Sequence, residues 1–247
     1  MFDIIISGIN GKIGNLVYKQ SKKNGFNVVC GVDRNIIGEF DCPVYKSFDE
    51  IKTYADVVID FSSPDLIEGI FKFATQSHIP VVLGTTGYDE HQEVEIKTAA
   101  EKVAVFRSDN FSLGINVVKK LCFEATKRLS DFDIEIIDVH HRNKLDSPSG
   151  TTNVIYDSIV SALDEKKIAV YGRNGAKRRS KNEIGIHSVR GGSVVGEHEI
   201  LFLGGNESIT IKHTAYSKEL FADGAIKAAR FIKNKKVGLY GMDDLLS

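Results

Sequence analysis

Short apolar runs alternate with helical spacings along the first half of the chain. Ile4-Ile5-Ile6, Asn27–Val32, Asp56–Phe61, Ile79–Leu83 and Val103–Phe106 are rich in Val and Ile and carry little polar alternation. That is the pattern of strands covered on both faces. Between them Ile13, Leu16, Val17 and Gln20 recur at helical spacing, and further helices fit near Asp65–Gln76 and Glu90–Lys102. Strand and helix in regular alternation predict crossover units and a doubly wound parallel sheet.

The second half patterns differently. A helix is predicted near Leu113–Leu129, then a strand over Asp133–Val139, a polar loop, and a helix from about Thr151 with Ile155, Ile159, Ala162 and Leu163 at helical spacing. Strands then dominate, at Ile184–Val189, His198–Leu203 and Ser208–Thr214, separated by glycine turns at 190–192 and 203–206. A mixed or antiparallel sheet is expected there. A last helix near Lys218–Lys233 gathers Leu220, Ala225, Ala228, Ala229 and Ile232 on a packed face. The fold class is therefore α/β: a doubly wound parallel sheet with a second, α+β domain of mixed sheet.

Composition narrows the function classes. A chain of 247 residues, 42% apolar and 26% charged, has the make-up of an ordinary globular protein and can build a core without staples. A formal net charge of -1 gives no global field to attract nucleic acid or acidic membranes. The basic run Arg173, Lys177, Arg178, Arg179 and Lys181 lacks interleaved aromatics and reads as a solvated loop, with a subunit border or an anionic pocket as alternatives. Cys30, Cys42 and Cys122 are odd in number and widely spaced, which argues against a disulfide framework and a structural zinc site. The first residues lack the basic region and apolar run of a leader, and no stretch of about 18 apolar residues marks a membrane span. A reducing cytoplasm is the expected location.

Two segments carry candidate chemistry. Gly8-Ile9-Asn10-Gly11-Lys12-Ile13-Gly14 directly follows the first strand and opens the first helix. Small residues at that spacing allow a tight turn, close approach of backbone to a pyrophosphate and close helix–strand packing. The helix N-terminus adds N–H groups and the positive end of its dipole. Asp33 at the end of the second strand can accept from adenosine ribose hydroxyls, and Arg34 can face a 2′-phosphate, so NADH or NADPH is the expected cofactor. Gly84-Thr85-Thr86-Gly87 ends another strand, where such sheets hold ligands; read alone it is equally a glycine turn.

The segment from Asp138 to Thr152 leaves a strand with His140, His141, Arg142 and Lys144 and reaches a helix start at Ser149-Gly150-Thr151. N–H and hydroxyl donors at a helix N-terminus form a carboxylate cradle. Lys144 and the histidines supply positive charge and protons beside it, so the loop suits a small dianion that is protonated as it gains electrons. Read alone, a polar surface loop remains open. Adjacent side chains on an extended segment point to opposite faces, so His140 and His141 chelate one ion poorly and no metal is expected. His198, in Gly196-Glu197-His198, reads more readily as structural than as catalytic.

Taken together these residues resemble the 4-hydroxy-tetrahydrodipicolinate (dihydrodipicolinate) reductase family along nearly the whole chain. The likeness runs through the Gly8–Gly14 loop, Val58-Ile59-Asp60-Phe61-Ser62, Gly84-Thr85-Thr86-Gly87, Asn110-Phe111-Ser112, Arg190-Gly191-Gly192 and Phe221-Ala222-Asp223-Gly224-Ala225. Its specific part is the HHxxKxDxPSGT pattern from His140 to Thr151. The resemblance implies a Rossmann-like dinucleotide-binding domain over 1–111, completed by 216–247, and a substrate-binding and oligomerisation domain over 112–215 that usually builds a homotetramer through its sheet. It implies NAD(P)H-dependent reduction of a small cyclic dicarboxylate in lysine biosynthesis, with loss of water. Gly8, Ile9, Asn10, Gly11, Lys12 and Ile13 would hold the pyrophosphate, with Asp33 and Arg34 at the ribose. Gly84, Thr85, Thr86, Ser108, Asp109, Asn110 and Phe111 would line the nicotinamide side. His140 would be the proton donor/acceptor and Lys144 the proton donor, while His141, Gly150 and Thr151 would bind the substrate carboxylates. One departure stands out: Arg107-Ser108-Asp109 replaces the small or apolar residues usual before Asn110, and the added carboxylate either alters cofactor preference or points to solvent. Two rivals remain: a dehydrogenase acting on aspartate-derived aldehydes, for which Cys122 is poorly placed in mid-helix, and a nucleotide-sensing scaffold without chemistry.

Overall fold

The structure, a computed structural model, describes residues 2–247. Two compact units divide the chain: one runs to Leu113 and resumes at Lys218, and the other spans Gly114–Ser217.

The first unit is a seven-stranded parallel sheet. Its strands are β1 (Phe2–Ser7), β2 (Phe26–Val32), β3 (Val44–Tyr45), β4 (Val57–Asp60), β5 (Val81–Leu83), β6 (Ala104–Arg107) and, from the C-terminal return, β12 (Gly238–Tyr240). Their order across the sheet is β12-β6-β5-β4-β1-β2-β3, so the direction of winding reverses between β1 and β4. Side chains alternate across a strand, and here both sets are apolar. Ile4, Ile6, Val57, Ile59, Val82 and Phe106 enter one core, covered by α1 (Lys12–Lys23) and α6 (Glu219–Ile232). Ile5, Val58, Val81, Leu83 and Val105 enter the other, covered by α2 (Ile67–Ser77) and α3 (Glu90–Ala100). This is the physical reason the strands read as unbroken Val/Ile runs. β3, β8 and β12 were not predicted: at two to four residues, bordered by polar turns, they leave no period to detect.

The second unit holds a mixed five-stranded sheet in the order β11-β10-β7-β9-β8, with β7 (Asp133–His140), β8 (Ile168–Tyr171), β9 (Glu183–Arg190), β10 (Gly196–Leu203) and β11 (Ser208–Ala215). β10 runs antiparallel to β7 and β11, whereas β9 runs parallel to β7 and β8. One face packs Ile134, Ile136, Ile184, Ile186, Ile200 and Phe202 against α4 (Leu113–Arg128) and α5 (Gly150–Ser161). The short α7 (Met242–Leu245) closes the chain. The basic run corrects one expectation. Arg179 folds back to bond Asp133, Glu135 and the carbonyls of Ile134 and Glu183, and Arg173 pairs with buried Glu183, so part of the loop is anchored rather than solvated.

Packing of α6 is the tightest constraint in the first unit. A methyl group on Gly224 would stand 1.8 Å from the Phe111 carbonyl oxygen, which neither backbone can yield cheaply. Gly224→Ala is expected to cost about 2 kcal/mol or more, read as a lower urea midpoint at unchanged slope. An unchanged midpoint would show that α6 slides freely on the sheet.

Candidate active site

At the head of the first unit the chain turns sharply from β1 into α1. Gly8 adopts φ +75°, in the left-handed region. A Cβ on Gly14 would lie 2.0 Å from the Gly8 carbonyl oxygen, so the first turn of α1 lies directly against the loop. Gly11 caps that helix and, among the described residues, no side-chain cap takes up its N-terminal N–H groups, which leaves an anion-binding end of the kind that suits a pyrophosphate. Asp33 follows β2 and is pinned to the loop: its carboxylate accepts the Asn10 N–H at 3.0 Å and the Asn35 N–H at 3.1 Å. Arg34 is largely exposed, 3.8 Å from Asp65. Gly8, Gly11, Asp33 and Arg34 line a cavity of about 150 Å³ together with Asn35, Phe61, Ser62, Ser63 and Leu66. The last five were not assigned to the site from sequence, although Phe61-Ser62 stood in a recognised segment. A backbone-lined cradle beside an acidic strand end fits a dinucleotide.

Not every expected cofactor residue offers its side chain. Ile9 is fully buried in the core and Ile13 packs against it, while Lys12 and Thr86 are exposed. Thr85 is buried: its hydroxyl donates to Asp60 at 2.6 Å and accepts the Ser62 N–H at 2.9 Å, stapling the ends of β4 and β5. Asp60 is itself fully buried, and burial pushes its pKa up. Gly84 lies under the Phe61 ring. Ser108 bonds both ways with the Asn110 backbone, and Asn110 Oδ1 accepts the Ser112 N–H at 2.9 Å, which fixes the turn after β6. Phe111 is a core ring, 5.3 Å from Phe61 and 5.9 Å from Phe106. The departure at 107–109 resolves into two parts: Glu93 clamps the Arg107 guanidinium, while Asp109 is 67% exposed and only 4.0 Å from it at the nearest atoms.

In the second unit one strand face changes character along its length. Ile134 and Ile136 of β7 are followed on the same buried face by Asp138 and His140. The neighbours follow suit. Phe202 and Ile200 of β10 pair with Ile134 and Ile136, and His198 pairs with Asp138. On β9, Ile184 and Ile186 give way to Ser188 and Arg190. The apolar core thus ends in a polar cluster at the C-terminal end of β7, beside the start of α5.

Asp138 organises that cluster. Its side chain is inaccessible, and its carboxylate accepts the Ser149 N–H at 2.8 Å, the Thr152 hydroxyl at 2.9 Å and the Arg190 guanidinium. Burial opposes its ionisation, but these donors outweigh it and hold the pKa at about 2. Ser149 caps α5, its hydroxyl taking the Thr152 N–H at 3.2 Å and lying 3.0 Å from His198 Nε2. His140 Nδ1 is 3.6 Å from Asp138, and its ring stands edge-on to His198 with centroids 5.2 Å apart. Burial lowers the His140 pKa, with Lys144 and Arg190 adding to the effect against Asp138. Burial together with His140 drives His198 down to about 4, so His198 is a neutral imidazole in the protein.

The loop between β7 and α5 is held at two points. Arg142 N–H donates to the Gly192 carbonyl at 3.2 Å, and Arg190 reaches the Asp146 carbonyl at 2.9 Å. Lys144 Nζ lies 2.8 Å from both carboxylate oxygens of Asp146. Gly150 is exposed, and among the described residues nothing beyond its chain neighbours and its own helix backbone comes within 4 Å of where a Cβ would stand. The structure therefore gathers His140, Lys144 and Gly150 at one end of the unit, with His141 and Thr151 adjacent in the chain. Asp138 and Arg190 were not assigned roles from sequence; the one available signal was a polar pair falling in phase with the core residues of β7.

Comparison with known proteins agrees along the full length. Residues 2–111 match a family model described as dihydrodipicolinate reductase, N-terminus, and residues 114–246 match one described as dihydrodipicolinate reductase, C-terminus. A 4-hydroxy-tetrahydrodipicolinate reductase from Caldanaerobacter subterraneus subsp. tengcongensis is 50% identical over 248 residues, covering 100% of this chain and 98% of the relative. One from Clostridium tetani is 43% identical over 249 residues, with the same coverage. Among solved structures, a dipicolinate-bound dihydrodipicolinate reductase from Paenisporosarcina sp. TG-14 superposes with a TM-score of 0.84 at 25% identity over 99% of each chain.

The buried imidazole has a measurable consequence. Unfolded, His198 takes up a proton near pH 6.5; folded, it resists until about pH 4. The unfolded state therefore binds more protons in that window, and stability falls as pH drops from 6.5 to 4, by roughly 3 kcal/mol. His198→Gln should lack most of this loss in urea unfolding at pH 7 and pH 4. Parallel losses in the two proteins would show that His198 is not buried neutral.

Proposed function

The chain belongs to the 4-hydroxy-tetrahydrodipicolinate (dihydrodipicolinate) reductase family, and we propose that its residues divide the work between a nucleotide-holding unit and a dianion-holding, proton-handling unit. The reaction is the reduction of 4-hydroxy-tetrahydrodipicolinate to tetrahydrodipicolinate with loss of water, in the diaminopimelate route to lysine. A reduced nicotinamide dinucleotide, NADH or NADPH, supplies the hydride when bound.

Gly8 to Ile13 receive the pyrophosphate by backbone, with Ile9 and Ile13 supporting the loop from the core side. Asp33 accepts from ribose hydroxyls, and exposed Arg34 is available to a 2′-phosphate, so either nucleotide serves. The turns at Gly84–Thr86 and Ser108–Phe111 line the nicotinamide side, held in shape by Thr85, Ser108 and Phe111 from beneath. Asp109, exposed, lies at the margin.

The dicarboxylate is held at the other unit. His141, Gly150 and Thr151 take its carboxylates, and Lys144 Nζ donates a proton as the ring accepts electrons. His140, depressed by burial, exchanges protons as a near-neutral imidazole. The observation that carries this reading is one buried carboxylate, Asp138, that bonds the start of α5 directly and, through Arg190, holds the Asp146 carbonyl of the loop that bears Lys144. The chains assemble as a homotetramer through the sheet face that α4 and α5 leave bare, where Val189 is 49% and Leu203 38% exposed. Cysteine-dependent aldehyde chemistry finds no support: Cys122 is buried in α4 with its thiol pushed up to about 12.

Lys144→Ala should fold and bind nucleotide as before but lose turnover by at least about 100-fold. Oxidation of NAD(P)H followed by absorbance with enzymatically generated substrate reads this directly. Unchanged turnover would remove Lys144 from the mechanism.

A further inference from the structure

Asp146 occupies a position that the chemistry of the loop makes unusual. Both of its carboxylate oxygens lie 2.8 Å from Lys144 Nζ, the geometry an external carboxylate would adopt on that ammonium group. The Asp146 carboxylate is held below its ordinary range by Lys144 first, with the Gly150 backbone N–H contributing. It therefore pairs with one of the groups assigned above to the substrate, beside the start of α5 that holds another. Its anchoring is asymmetric. The Asp146 carbonyl is fixed by Arg190 at 2.9 Å, and Arg190 is fixed by buried Asp138. The side chain, by contrast, is 56% exposed, with rotamer freedom to swing toward water.

We propose that Asp146 is an internal stand-in for a substrate carboxylate, one that pairs with Lys144 and must be displaced when a dicarboxylate binds. This rests on the assignment of Lys144 and Gly150 to the substrate site. The stand-in keeps Lys144 oriented, and it competes with every incoming carboxylate, product included. Asp146 is thus a specificity-determining residue: it weakens binding of any anion that cannot outcompete it. A structural counter-ion predicts the opposite sign, because removing it would loosen Lys144 and weaken anion binding.

Pyridine-2,6-dicarboxylate serves as the probe, titrated calorimetrically into the full-length wild type, Asp146→Asn, Asp146→Glu and Lys144→Ala. Asp146→Asn keeps the shape and removes the charge, and should bind the probe roughly 5-fold tighter, the worth of one partly exposed ion pair. KM for the substrate should fall alongside, with nucleotide affinity unchanged. Asp146→Glu, which retains the charge, should gain nothing, and Asp146→Ala provides the same test as Asn if that variant folds poorly. Equal or weaker binding by the charge-removing variants, with wild type binding and Lys144→Ala impaired, overturns the stand-in and leaves the site assignment intact. Wild-type affinity retained in Lys144→Ala, or no binding by wild type, overturns the site assignment and the stand-in with it.

Discussion

A carboxylate sealed from water must be neutralised or richly bonded, and Asp138 takes the second course. Burying one uncompensated charge costs several kcal/mol. Three donors from two segments far apart in sequence meet it: Arg190 from β9, and the Ser149 N–H and the Thr152 hydroxyl from the start of α5. The same bonds that make the buried charge tolerable fix where α5 begins and where the loop after β7 can travel. Removing any donor would leave the others facing an ill-satisfied anion. Position in the site is thus set from the core outward, through strand phase and then hydrogen bonding.

That phase explains how a folding pattern becomes a chemical one. Along β7, Ile134 and Ile136 bury against α4 and α5, and two more steps on the same face deliver Asp138 and His140. Across the ladder, His198 and Arg190 arrive by the same arithmetic on β10 and β9. The polar cluster is therefore as rigidly placed as the core it continues. Lys144 and Asp146, on the connecting loop, are held through backbone bonds while their side chains pair with each other, which suits groups that exchange partners during a reaction.

Much of this was readable before any coordinates. Parallel strands declare themselves by apolar runs because both faces are covered, and the Ile4–Ile6 and Val57–Ile59 runs did so. The turn from β1 into α1 was legible because only glycine satisfies its backbone at Gly8. What escaped had physical reasons. β3, β8 and β12 are too short for periodicity. The Asp138–Arg190 contact joins residues far apart in sequence, and only strand register brings them together. Side-chain direction was also hidden: Ile9 and Phe111 stand in a loop and a turn associated with the cofactor, yet both face the core, so only their backbone is offered. Arg179 reads from sequence as a solvated charge because its four carbonyl and carboxylate partners cannot be counted from a basic run.

The account stands on a buried carboxylate that fixes a helix N-terminus and, through Arg190, the loop whose lysine meets the same dianion. A crystal structure with NADH and pyridine-2,6-dicarboxylate bound tests it most directly. It should show one ligand carboxylate on the first turn of α5 and on Lys144, the Asp146 side chain turned away, and the three bonds to Asp138 intact. A dicarboxylate bound elsewhere, with Lys144 still on Asp146, would contradict it.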